Sequence, residues 1–194
     1  MVNTSRKITF FTPSFTSTGS EIVLCNMLNS LSPAISAKLV SYYSRGSLWN
    51  QLSKNYSKNS LYHFNPQKGI FARIFHRLEK TFLVPKKLKQ YTNSVWYINT
   101  IVLPEILEFA AANGIRTIVH SHEMEHMFNL LSTLQLKQLL QYPELIIANS
   151  AASEKVLNEL GRTNKIKRIY PAIKSLAIQR DTVVYSNFRK KLGI

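Results

Sequence analysis

A chain of 194 residues that is 45% apolar and 11% aromatic can bury one sizeable core, which excludes a disordered segment. No run approaches the roughly 18 apolar residues of a membrane span, and "MVNTSRKITFF" has neither the apolar stretch nor the small-residue cleavage site of a signal peptide. The formal net charge of +15 points to anionic partners, and the single cysteine, Cys25, cannot form an internal disulfide, which fits a reducing cytosol.

The first predicted element is a buried strand, "KITFFT" (7–12), which runs into the small-residue loop "PSFTSTGS". "EIVLCNMLNSL" follows with helical spacing of Ile22, Leu24, Leu28 and Leu31, and Cys25 falls on that apolar face as a structural thiol rather than a nucleophile. "KLVSYY" (38–43) is a second strand, "SLWNQLSKNY" a short helix and "SLYHF" (60–64) a weaker third strand. Residues 70–84, "IFARIFHRLEKTFLV", form an amphipathic helix. "SVWYIN" (94–99) is a strand, followed by a helix with Pro104 in its first turn and Gly114 just past its end. "IRTIVHS" (115–121) is a strand, and "HEMEHMFNLLSTLQLKQLLQ" (122–141) is one helix that stops before Pro143. "ELIIANS" (144–150) is a strand, "AASEKVLNELG" a helix closed by Gly161 and "IKRIYP" (166–171) a last strand.

Repeated strand-helix units predict an α/β fold, a doubly wound and mostly parallel sheet with helices on both faces, Rossmann-like in outline. After Pro171 the pattern fades. The expected organisation is one domain over residues 1–174, with 175–194 as a linker and the start of a further domain.

The charge is unevenly placed. Residues 68–91 hold seven Lys and Arg against Glu79 alone, and residues 162–194 hold nine against Asp181 alone, while 92–161 are net negative. Phe71, Phe75 and Phe82 beside Arg73, Arg77, Lys80, Lys86 and Lys87 suit an anionic bilayer surface, the alternative being that the phenylalanines pack on the sheet. No nucleic-acid motif accompanies them, and the aromatics recur at helical rather than base-stacking spacing, so nucleic acid is not the expected partner.

"IVHSHEMEHMFNLL" (118–131) contains H-E-M-E-H, the zinc-protease string of His122, Glu123 and His126. That chemistry needs both histidines on one helix and a third ligand. Here "IVHS" puts His122 at a strand-to-helix turn, and the extended motif would need Gly and His where the chain has Asn129 and Ser132. No metal site is expected. Ligands of open parallel sheets lie instead at the carboxyl ends of strands, against helix N-termini. "TSTGSE", "NT", "HSHE" and "NSAAS" all fall there. They nominate Thr18, Gly19, Ser20, Glu21, Asn99, Thr100, His122, Glu123 and Ser150 as a polar cleft. For Thr100, Glu123 and Ser150 helix capping is the competing role. His120 reads as structural and His126 as a surface residue.

In their order and spacing these segments resemble the N-terminal domain of GT-B glycosyltransferases of family 4. "FFTPSFTSTGSEIVLCNMLNSL" is similar to that family's first strand, glycine-rich loop and helix, with Gly19, Ser20 and Glu21 matching and Thr18 in place of the first glycine. "VWYINT", "GIRTIVHSHE" and "ELIIANSAASEKVL" resemble later strand ends, and "IKRIYPAIK" a turn in which Ala172 and Lys174 replace Gly and Asp. "NFRKKLGI" resembles the opening of the C-terminal half.

The resemblance implies a two-domain enzyme that moves a sugar, with retention of configuration, from a nucleotide-sugar donor to a glycan or lipid-linked acceptor. The N-terminal domain would mainly bind acceptor, without a metal or other cofactor. His122 would act near the reacting carbon, on a sugar hydroxyl or the donor phosphate. Gly19 would allow close approach, and the amides around Ser20 and Glu21 would hold phosphate. The implied location is cytoplasmic, peripheral at the inner membrane face where the basic stretch meets lipid. The competing reading is a non-catalytic basic module that binds anionic lipid or nucleic acid.

Overall fold

The computed structural model describes residues 7–43, 46–52, 56–62, 70–161 and 163–171, and for 70–73 only the backbone. Seven strands make one sheet: β1 (Lys7–Thr12), β2 (Ser36–Ser41), β3 (Ser57–Ser60), β4 (Val95–Ile98), β5 (Thr117–Ser121), β6 (Leu145–Ala148) and β7 (Ile166–Arg168). Their order is β3-β2-β1-β4-β5-β6-β7, and every pairing is parallel. The helices are α1 (Gly19–Asn29), α2 (Ile70–Leu78), α3 (Val84–Leu88), α4 (Pro104–Ala112), α5 (Glu125–Phe128), α6 (Thr133–Gln141) and α7 (Ala151–Leu160). This is the doubly wound α/β, Rossmann-like architecture that strand-helix alternation predicts.

Strand side chains alternate between the two faces, so neighbouring residues enter different cores. Phe10, Leu39 and Tyr97 pack with Leu24, Cys25 and Leu28 of α1. Phe11, Val40, Trp96 and Ile98 pack on the other face with Leu88, Ile106, Leu139 and Leu157. Because both faces are covered, β4 reads as a continuous apolar run, and β1 sets Phe10 and Phe11 side by side, one in each core. Cys25 lies buried in the first of these cores.

The short helix expected over 47–56 is a 3-10 turn at Ser47–Gln51, the last strand stops at Arg168, and three further elements differ from their expected form. The third strand is the polar "SKNS" rather than "SLYHF", whose Leu61 and Tyr62 are buried just beyond it and whose residues 63–64 lie outside the described residues. An edge strand is defined by its backbone ladder, which polar residues supply as well as apolar ones.

The helix expected over 122–141 is two. Ser132 breaks it with a capping box: its hydroxyl accepts from the Gln135 amide at 3.3 Å, and the Gln135 side chain accepts from the Ser132 amide at 3.0 Å. The helix expected over 70–84 runs on to Tyr91, with a π-helical turn at Glu79–Leu83 and a final 3-10 turn at Lys89–Tyr91. The wide turn stands just before Pro85, whose ring would crowd the carbonyl one turn back in a regular α-helix. The linker and further domain placed at 175–194 lie outside the described residues. Among those described, no helix is long and apolar enough to cross a membrane.

Two glycines hold positive φ for different reasons. Gly114 (φ 63°) ends α4 in open space, whereas a Cβ on Gly46 (φ 61°) would lie 2.0 Å from the Phe15 carbonyl oxygen in the β1–α1 loop. Gly114→Ala should cost about 1–2 kcal/mol, the left-handed backbone penalty alone. Gly46→Ala should cost more and displace the loop, as measured by urea unfolding.

Candidate functional site

The sheet order reverses between β1 and β4. β1 hands on to β2 and β3 on one side, β4 to β5, β6 and β7 on the other. Loops leaving the carboxyl ends of β1 and β4 therefore diverge and open a crevice, the place where open α/β sheets bind ligands.

Glu21 organises the β1–α1 side of that crevice. Its buried carboxylate accepts from Ser14 Oγ at 2.6 Å, the Thr16 amide at 2.9 Å, Thr16 Oγ1 at 2.5 Å and Thr18 Oγ1 at 2.8 Å. Burial works against its charge, but these four donors outweigh it and hold the carboxyl below its usual range. Glu21 thus faces inward, and exposed Thr18 helps it shape the loop through the bond to its carboxylate. Thr18 occupies the N-cap position, but its hydroxyl makes no cap bond to the helix amides. The space where a Gly19 Cβ would stand is open.

Asn99, fully buried past the end of β4, joins three elements. Its Nδ2 donates to the Ser20 carbonyl of α1 at 3.3 Å, and its Oδ1 lies 3.0 Å from Nε2 of His122, just past β5. Because the amide nitrogen serves Ser20, Oδ1 is the acceptor and His122 carries its proton on Nε2. Nδ1 then accepts from Asn149 Nδ2 at a long 3.4 Å. Ser20, Asn99, His122 and Asn149 form a chain across α1, β4, β5 and β6.

Glu123 performs for the β4 and β5 ends what Glu21 does for β1. Its carboxylate accepts from the Thr100 hydroxyl, the Ile101 amide at 3.2 Å and the His122 amide at 2.8 Å. Thr100 Oγ1 in turn accepts from the Val102 amide at 3.1 Å. Burial raises the Glu123 carboxyl above its usual range against these donors. It does not cap α5, which begins at Glu125 after an extended Met124. Ser150 does cap: its hydroxyl accepts from the Ser153 amide at 3.1 Å at the start of α7.

His120 is not apart from this group. Residues two apart on a strand share a face, and the His120 and His122 rings are 3.8 Å apart. His120 Nδ1 is 2.6 Å from the Tyr97 hydroxyl, and its Nε2 has no hydrogen-bond partner among the described residues. Burial pushes His122 down to about 4 and His120 to about 3, the latter helped by the neighbouring His122. Both rings are neutral near pH 7.

The H-E-M-E-H string is not a helical zinc motif here. His122 precedes the four-residue α5, whereas His126 lies exposed within it. Among the described residues no group of three or more His, Cys, Asp and Glu is placed to hold a metal ion. Asn149, Tyr97, Ser14, Thr16 and Gly46 were missed from the sequence. For Asn149 a signal existed, since it stands one residue past the end of β6 beside Ser150. Larger open hollows lie at the amino edge of the sheet, one lined by Lys7, Lys38 and Gln90 and another beside Arg116 and Glu144, whereas the carboxyl edge has a small apolar one beside Thr100. The carboxyl edge has the convergent polar groups and the topology, which outweigh size in choosing the site.

No family model matches the sequence, and no curated protein matches it. The fold does match solved structures of GT-B glycosyltransferases. HepE from Anabaena, solved with UDP and glucose, has a TM-score of 0.62 at 18% identity, over 97% of this chain and 50% of HepE. The lipopolysaccharide outer core galactosyltransferase WaaB has 0.58 at 14%, over 90% of this chain and 50% of WaaB. A UDP-glucosyltransferase from Polygonum tinctorium has 0.52 at 11%, over 94% and 56%. The chain therefore spans about half the length of the enzymes it resembles.

The histidine pair sets a pH dependence. Below the ordinary histidine value near 6.5 the unfolded chain takes up two protons that the folded chain refuses until about pH 4 and below. Stability should therefore fall as pH drops from 6.5 towards 4, with a slope on the order of 1.4 kcal/mol per pH unit for each histidine. Glu21 adds to this loss at the acid end and Glu123 opposes it. Urea unfolding of the wild type against His120→Gln/His122→Asn isolates the histidines, and the variant's curve should be flatter over that window.

Proposed function

We propose that the chain is the acceptor-side N-terminal domain of a glycosyltransferase of the family 4 kind, which moves a sugar from a nucleotide-sugar donor to a glycan or lipid-linked acceptor with retention of configuration. The observation that carries this is the Ser20–Asn99–His122–Asn149 chain at the carboxyl edge, set where the sheet order reverses. HepE in complex with UDP-glucose supports a uridine diphosphate sugar as donor. The edge is a shelf rather than a closed pocket, as expected of one wall of a cleft whose other wall is a second domain.

In this reading Glu21, Glu123 and Thr100 hold the loops, and His122 meets the ligand. A neutral ring with its proton on Nε2 offers a lone pair at Nδ1, whose contact to Asn149 is long enough to be exchanged. A lone pair accepts a hydroxyl and repels a phosphate oxygen, so the partner of His122 is a sugar hydroxyl. The contact positions that hydroxyl at the reacting carbon while the nucleoside diphosphate departs with the electron pair of the broken glycosyl bond. Phosphate falls to the first-turn amides of α1, beneath the open space at Gly19. Ser150 contributes as a helix cap that fixes Asn149 beside it.

In the protein that carries both halves, His122→Ala should lower kcat about 10²-fold, in line with losing one positioned hydrogen bond, and lower Tm by a few degrees, because buried Asn99 Oδ1 loses its partner. His120→Ala should lower Tm more and kcat less. Gly19→Val should raise KM for the donor with Tm unchanged, since the added atoms meet ligand and not protein. Residues 1–194 alone should transfer no sugar. Full turnover in His122→Ala would overturn the assignment of this edge, and transfer by residues 1–194 alone would overturn the two-domain reading.

A further inference from the structure

The helical stretch from α2 to α3 is turned the wrong way round for a helix that only covers a sheet. Between residues 74 and 83 the acid is inside and the apolar side chains are outside. Glu79 is 2% exposed, whereas Ile74, Leu78, Phe82 and Leu83 are 53%, 48%, 67% and 47% exposed. The core contacts come later, from Val84, Leu88 and Tyr91. Ile74, Leu78 and Phe82 recur every four residues along one side, and a monomeric soluble surface seldom keeps such a row in water.

The charges around this row select its partner. Exposed Arg77 stands one turn from Ile74, exposed Lys86 one turn from Phe82, and exposed Lys89 follows. Lys80 is ion-paired to Glu105 at 2.7 Å, and Lys87 donates to the Leu61 carbonyl, so neither belongs to the outward cationic set. The only acid of residues 70–91 is Glu79, which is buried. A second copy of the chain would bring the same cations against themselves.

We infer that this face docks on an anionic lipid bilayer, with Phe82, Leu78 and Ile74 inserted at the headgroup boundary and Arg77, Lys86 and Lys89 against lipid phosphates. His76 stacks on Tyr62, just past β3, with ring centroids 4.4 Å apart, and the Lys80–Glu105 pair ties the segment to the first turn of α4. Both anchors lie on the carboxyl side of the sheet. A docked bilayer would therefore run beside the shelf at Asn99 and His122. If the proposed transferase reading holds, a lipid-linked acceptor would reach the shelf from that side.

The test is co-sedimentation of the chain with phosphatidylcholine vesicles that contain phosphatidylglycerol, against vesicles of phosphatidylcholine alone, with no donor or acceptor present. Its outcome is thus independent of turnover. Binding should require the anionic lipid and weaken as salt is raised, because charges are screened beyond about 8 Å at physiological ionic strength. Arg77→Gln/Lys86→Gln/Lys89→Gln should weaken it on the order of a hundredfold, the effect of removing three cations near an anionic surface. Phe82→Ser should weaken it at least tenfold with Tm unchanged, since that ring is already in water. Lys165→Gln/Lys167→Gln, at the far edge of the sheet, should bind as the wild type does. No binding to anionic vesicles, equal binding to neutral ones, or binding untouched by Phe82→Ser would overturn the proposal. So would a concentration-dependent dimer that Phe82→Ser dissolves.

Discussion

A buried primary amide must find partners for both its ends, and Asn99 finds them in two different elements. It stands where the winding of the sheet reverses, its backbone amide bonded to the Phe11 carbonyl of β1. The Ser20 carbonyl on one side and the His122 ring on the other are both held by that one side chain. An unsatisfied group at such a depth costs about 1–3 kcal/mol, so the three elements are fixed relative to one another by the need to satisfy it. The crevice edge is consequently built before any ligand arrives.

Two carboxylates, the buried Glu21 and the partly buried Glu123, extend the same logic outward. Glu21 gathers four donors from a loop of Ser and Thr, and Glu123 gathers a hydroxyl and two amides from the ends of β4 and β5. Each converts a short irregular segment into a rigid one, because charged acceptors bind donors more strongly than neutral ones. The histidines sit between these anchors in a site too dry to charge them. Tyr97 holds His120 from below, and the His120 ring bears on His122. The result is a neutral, oriented imidazole whose one weak contact faces Asn149.

The basic, aromatic segment obeys a different constraint. It must reach from β3 to β4, and it does so with a helix that changes pitch at Glu79–Leu83. The wide turn passes the packing duty from one side of the helix to the next. Val84, Leu88 and Tyr91 then enter the core, and the apolar residues before them are left outside. The exposure of those apolar side chains thus goes with the change of pitch.

By itself the sequence determined the class of fold, because apolar runs of four to six residues alternating with helical spacing allow little besides covered parallel strands. It also determined where polar chemistry gathers, since Thr18–Glu21, Asn99–Thr100, His122–Glu123 and Ser150 all stand at or just past strand ends. Strand alternation carried one further fact that the reading above did not use: His120 and His122 share a face. Tertiary structure decided the rest. Periodicity reports which residues are apolar and how often they recur, not which donor reaches which acceptor. So the inward turn of Glu21 and Glu123, and the bridge made by Asn99, became visible only when distant segments met. Apolar recurrence also ran past Ser132, where a hydrogen-bonded cap ends the periodicity of one helix and starts another. It left open whether Phe82 meets a bilayer or packs on the sheet and did not place Glu79, and the structure turns Phe82 out and Glu79 in, across the wider turn before Pro85.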